Sequence, residues 1–166
     1  MGLKDDVARW LKDEEIDVDE VPVPAGAPVE WALNATVKAP LRVLLGVQKP
    51  KTKADRLVIS MVVKVADQHK AALSSMAPKE RAKLMSQLLV NVTSLCPSCI
   101  IVFQPQLDLP DTIVVSKVIY DENIGPSAIG ESVRVLVNEY ALIVSFFNAE
   151  VAHVDQGPGF STVIHM

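Results

Sequence analysis

The sequence predicts an α+β fold, a single antiparallel five-stranded sheet with helices, in the order α-βββ-α-ββ-α. Three observations carry this expectation. Apolar residues recur at every second position in five separate stretches, and at every third or fourth position in the segments before, between and after them. The links within each run of period-two stretches are too short for the crossovers that parallel strands require. With 166 residues and 49% hydrophobic content, the chain fits one domain that buries roughly 70% of its unfolded surface, so stability needs neither metal nor disulfide.

Leu3, Val7, Trp10 and Leu11 make one apolar stripe opposite a charged face, which predicts a short amphipathic helix over residues 3–14. The acidic stretch that follows, with Pro22, Pro24 and Pro28 removing backbone donors, predicts an extended linker over residues 13–28. Val29, Trp31, Leu33, Ala35 and Val37 then alternate with polar neighbours. Leu41, Val43, Leu45 and Val47 repeat the alternation, and Leu57, Ile59, Met61, Val63 and Val65 repeat it again, so these three strands form a meander. "DQHKAALSSM" reads as a first helical stretch after Asp67. Pro78 suits the first turn of the next, whose buried stripe is Met85, Leu88, Leu89, Val92 and Leu95. Strands at about 99–104 and 112–120 flank "PQLDLPD", whose Pro105 and Pro110 confine them to its ends as a hairpin.

The last regular element runs from about Ser127 to Phe147 and is apolar nearly all round. Such a helix must be covered on every side. The sheet covers one side, and a second subunit is expected on the other. Leu136, Ile143, Phe146 and Phe147 are therefore the candidate dimer or partner surface. Residues 1–148 make the domain, and residues 149–166 a tail punctuated by Gly and Pro.

A net charge of −4 and a pI near 5.3 argue against nonspecific nucleic-acid binding, which needs Lys and Arg to displace counterions from phosphates. Residues 133–147 are interrupted by Arg134, Asn138 and Glu139 and fall short of the ~18 apolar residues of a membrane span. No cationic segment followed by an apolar run opens the sequence, so a cytoplasmic location is expected.

The two cysteines, Cys96 and Cys99, have the spacing of a thiol redox pair or half a zinc site. They follow a helix instead of opening one, so they meet the negative end of its dipole, which disfavours a thiolate. Packed thiols at a helix–strand joint, a disulfide, a zinc site shared by two chains and a redox site are the alternatives. His69, His153 and His165 show no metal spacing and read as surface or capping residues. Lys49, Lys51, Lys53 and Arg56 form a basic cluster at a hairpin tip, a solvated turn or a patch for an acidic partner. The start of the last helix, "NIGPSAIGES", offers free backbone donors to an anion. No catalytic arrangement is legible, and neither an enzyme nor a cofactor is expected.

The order of elements resembles the class I type III secretion chaperones and the related YbjN-like domains. "LKDDVARWLKDEEI" followed by a Trp-bearing strand, and "VVKVADQHKAALSSM" leading from the third strand into the central helix, are similar to an uncharacterised archaeal family of that fold. The resemblance spans about residues 3–148. It implies helices packed on one side of the sheet and a homodimer that holds a polypeptide client on a hydrophobic surface, without a cofactor. A non-enzymatic, chaperone-like binding protein is the function expected. The alternative is a thiol-redox or zinc-binding protein using Cys96 and Cys99.

Overall fold

The computed structural model describes residues 2–152. In chain order the elements are α1 (Leu3–Asp13), β1 (Asp17–Val21), β2 (Val29–Val37), β3 (Val43–Pro50), β4 (Arg56–Lys64), α2 (Asp67–Ser75), α3 (Pro78–Leu95), β5 (Ile100–Gln104), β6 (Thr112–Tyr120) and α4 (Pro126–Phe146). A π-helical turn over Phe147–Val151 continues α4. The strands form one sheet in the order β1-β2-β3-β4-β6-β5, with every neighbouring pair antiparallel.

The sheet thus has six strands, not the expected five, and the extra one lies inside the expected linker. Asp17–Val21 pairs with β2 from Asp17↔Thr36 to Val21↔Ala32. Its period-two signal is nearly silent because one inward residue, Val18, is apolar, while inward-facing Glu20 bonds Lys4 of α1 (2.6 Å). Pro22 and Pro24 follow the strand, so they terminate it and do not forbid it.

Alternation assigns the two faces. Leu33, Ala35 and Val37 of β2, Val43, Leu45 and Val47 of β3, Leu57, Ile59, Met61 and Val63 of β4, and Ile113, Val115 and Ile119 of β6 all point to one side and are buried. The helices lie on that side, with α4 central, packed between α1 and α3 and against β3, β4 and β6. The two helical stretches are separated by a full break: Met76 is extended (ψ 152°) and Pro78 opens α3. α4 begins one residue before the expected start at Ser127, with Gly125 as its N-cap and Pro126 as its first residue.

α1 ends in a Schellman turn. The Ile16 amide donates to Leu11 (3.1 Å) and the Glu15 amide to Lys12 (2.9 Å), while Ile16 folds back into the core with Leu11. Glu15 takes the left-handed position (φ 61°) that glycine usually fills, so the sharp entry into β1 is held against a local backbone preference.

Candidate functional site

The second face of the sheet carries no described helix. Its outward positions include Val58, Ser60 and Val62 on β4, Val114, Ser116 and Val118 on β6, Ile100 and Val102 on β5, Ala32, Asn34 and Thr36 on β2, and Leu44, Gly46 and Gln48 on β3; of these side chains Ala32 and Val62 are buried. Register brings them into rows: Val62 beside Val114 beside Val102, Ser60 beside Ser116 beside Ile100, and Val58 beside Val118. Charge stands only at the margins, with Asp17 and Asp19 on the β1 edge and Arg56 and Lys64 at the two ends of β4. An antiparallel sheet with one solvated face ordinarily alternates apolar inward and polar outward. Here the outward side of β4, β6 and β5 is largely aliphatic and short-chained, with Asn34, Thr36 and Gln48 on the β2–β3 part, a flat surface on which an extended backbone can lie close.

The predicted partner residues are placed elsewhere. Leu136, Ile143 and Phe147 are 0% exposed and Phe146 8%. One chain buries all four, because α1 and α3 flank α4 and the sheet floors it, so no second subunit is needed to cover them. Phe147 lies at the start of the π turn, its ring 5.2 Å from that of His69 and edge-on to Phe146 at 6.2 Å. His69, expected at the surface, is also fully buried, and its Nε2–H donates to the Ala152 carbonyl (2.8 Å). The turn after α4 is thereby latched onto α2. Of the expected tail, residues 153–166, including His153 and His165, lie outside the described residues.

Cys96 and Cys99 are joined in a disulfide, in place of two free thiols or a zinc-binding pair. They bracket a tight turn closed by the Cys99 amide on the Cys96 carbonyl (3.1 Å), at the C-terminus of α3 as the order of elements implied. Lys117 of β6 donates to Ser98 within this turn, a cation that spacing alone could not place there. Among the described residues no three His, Cys, Asp or Glu side chains gather to hold a metal ion. The basic cluster is divided: Lys49 turns inward to Asp121 (2.9 Å), Arg56 pairs with Asp55 and lies 4.9 Å over the Tyr120 ring, and only Lys51 and Lys53 are exposed.

Two further features were not legible beforehand. A cleft of about 300 Å³ opens where the end of α1 and the β2–β3 turn meet α4; Ile16, Val37, Val133 and Val137 line it, and Glu14 and Arg134 face each other across it at 3.7 Å. Glu139, one of the breaks in the apolar run of α4, is 0% exposed, and neither carboxylate oxygen has a hydrogen-bond partner among the described residues. Burial alone pushes its pKa up to about 7.

Residues 3–147 match the family described as "Uncharacterized conserved protein (DUF2299)". The chain belongs to the DUF2299 family. No curated protein matches it in sequence. In structure it is similar to the crystal structure of an uncharacterized protein from Methanothermobacter thermautotrophicus, with a TM-score of 0.78 and 12% identity over 90% of this chain and 99% of the other. At that identity the likeness shows a shared fold. The expected archaeal likeness is therefore present in the fold of a DUF2299 chain. Among the described residues no helix is long and apolar enough to cross a membrane.

Proposed function

We propose that this chain is a non-enzymatic binding protein that holds an extended segment of another polypeptide across the outer face of its sheet. The observation that carries the reading is the aliphatic patch of half-buried Val58, Val114 and Val118 and exposed Ile100 and Val102 on a face that no described helix covers. Burying such surface contributes about 25 cal/mol per Å², so a segment lying across several strands gains several kcal/mol before its ordering cost. A flat face without deep relief suits a chain in extended conformation better than a compact small molecule, which needs a concave site. The likeness of the element order to the secretion chaperones, whose clients wrap as extended chains, supports the same reading by analogy.

The test uses a fluorescently labelled test protein kept unfolded by reduction and carboxymethylation. Anisotropy titration is expected to show saturable binding that survives added salt, because apolar contacts are not screened. Val118→Lys puts a charge beside Val58 on this face at a half-buried position and is expected to weaken binding at least about tenfold, with unchanged circular dichroism. Absence of binding by the natural chain, or binding indifferent to both Val118→Lys and Val58→Lys, contradicts the proposal.

A further inference from the structure

The turn between α3 and β5 brings two linked sulfurs, a hydroxyl and a cation into contact. Cys96 is 3% exposed, whereas Pro97 and Ser98 are exposed and Cys99 is half-buried, so Cys99 is the member of the disulfide open to solvent. The Ser98 hydroxyl lies 3.8 Å from the Cys96 sulfur, and Lys117 of β6 donates to the same hydroxyl oxygen. A chain of contacts thus leads from the covered sulfur to an ammonium group.

Lys117 stands where the strand pattern calls for an apolar side chain. It takes a helix-facing position of β6, opposite Ile59 of β4, in the series Ile113, Val115, Lys117, Ile119, whose other three members are buried. Among the described residues no carboxylate pairs with it. Residues 84–107, which include the turn, contain no Asp, Glu, Lys, Arg or His, so the cation reaches the disulfide from another strand. A lysine serving only the helix dipole would bond the free carbonyls at the end of α3. The bond this one makes is to the hydroxyl beside the sulfur.

We propose that Cys96–Cys99 is a thiol–disulfide exchange site, with Cys99 the sulfur attacked, Cys96 the leaving thiolate and Lys117 a positioning residue that acts through Ser98. An external thiolate attacks the Cys99 sulfur, the S–S bond breaks, and its electron pair leaves on Cys96. Ser98 donates its O–H to the developing thiolate. Lys117 holds the hydroxyl oxygen in that orientation and offsets the negative end of the α3 dipole. A mixed disulfide remains on Cys99. A second external thiolate attacks the outer sulfur of that bond and releases Cys99 as a thiolate. Two thiols are thereby oxidised to one disulfide, the protein disulfide is reduced to two thiols, and the two protons given up by the attacking thiols end on Cys96 and Cys99. An external disulfide runs the same steps in reverse. The co-reactant is a thiol, carried by a small molecule or by a cysteine of a polypeptide. Polypeptide binding on the outer face of the sheet is a separate matter, and the carboxymethylated probe used to test it has no thiol to exchange.

Alkylation quenching and mass spectrometry on the full oxidised chain measure the exchange, with glutathione in one arm and an unfolded peptide bearing a single reduced cysteine in the other. The dithiol form is expected in at least one arm while circular dichroism keeps its native signal, and the arm that reacts identifies the source of the thiol. Lys117→Met and Ser98→Ala are each expected to slow the first step at least about fivefold, and Lys117→Arg to restore most of the rate. Ser98→Ala keeps the cation, so its slowing separates the relay from simple attraction of an anionic thiolate. In Cys96→Ala, oxidised glutathione is expected to add to Cys99, whereas in Cys99→Ala the buried Cys96 is expected to stay unmodified on the same timescale. A disulfide that neither arm reduces within hours overturns the inference. So does a rate that Lys117→Met and Ser98→Ala both leave unchanged, or a mixed disulfide found on Cys96.

Discussion

Phe147→Asp is expected to unfold the chain outright. The side chain is among the largest with no solvent exposure, and its ring sits against His69 and Phe146 where the turn after α4 closes onto α2. Truncating a buried phenylalanine costs about 3–5 kcal/mol, and a carboxylate in its place adds a charge without a partner. The sum is comparable to the whole stability of an ordinary domain. Near-ultraviolet circular dichroism and urea denaturation measure the outcome. The expected result is loss of the cooperative transition for Phe147→Asp and a loss of only about 1 kcal/mol for Phe147→Leu, which keeps the volume apolar. A folded Phe147→Asp chain with an altered mass would return this residue to a subunit interface.

Glu139 gives the second large effect, and its direction is fixed by the sign of its pKa shift. The folded pKa is raised from 4.5 to about 7, so between those values the folded chain holds a proton that the unfolded chain has released. Stability therefore falls as pH rises from about 4.5 to about 7 and levels off above, by roughly 3 kcal/mol in all. Glu139→Leu removes the carboxyl and is expected to stabilise the chain by roughly 2–3 kcal/mol at pH 8.5, with a smaller gain at pH 5. Glu139→Gln is expected to flatten the same pH dependence without the full gain, because its amide is also left unpaired. Urea midpoints at the two pH values measure this, and an undiminished pH slope in Glu139→Gln would assign the dependence to another group.

Much of the fold was legible because the inward residues repeat at intervals the backbone imposes. Val29 to Val37, Leu57 to Val65 and residues 112–120 lie on β2, β4 and β6 to within a residue, since each strand buries one face against helices. β1 escaped notice for a physical reason. An edge strand that half-buries one valine against the core and pairs its glutamate with a lysine of α1 shows no alternation, and edge strands are where acidic residues and nearby prolines are tolerated.

α4 misled in the opposite direction. Its all-round apolarity was real, but sequence alone does not say whether a helix is covered by a partner or by helices of its own chain, and α1 and α3 provide the cover. The outer sheet face went unremarked because Val58, Val62, Val114 and Val118 occupy the alternate positions of strands already assigned by their inward residues. Nothing local marks these valines as lying on the face away from the helices. That meaning comes from the placement of every described helix on the other side.

The central claim, that an extended polypeptide binds the outer face of the sheet, is tested most directly by methyl NMR. With valine methyls labelled and the unfolded test protein added, shifts are expected to move at Val58, Val114 and Val118. Those of Val133 and Val137, which line the cleft on the helical side, are expected to stay in place. Movement confined to Val133 and Val137, or no movement at any of the five at saturation, would contradict the account.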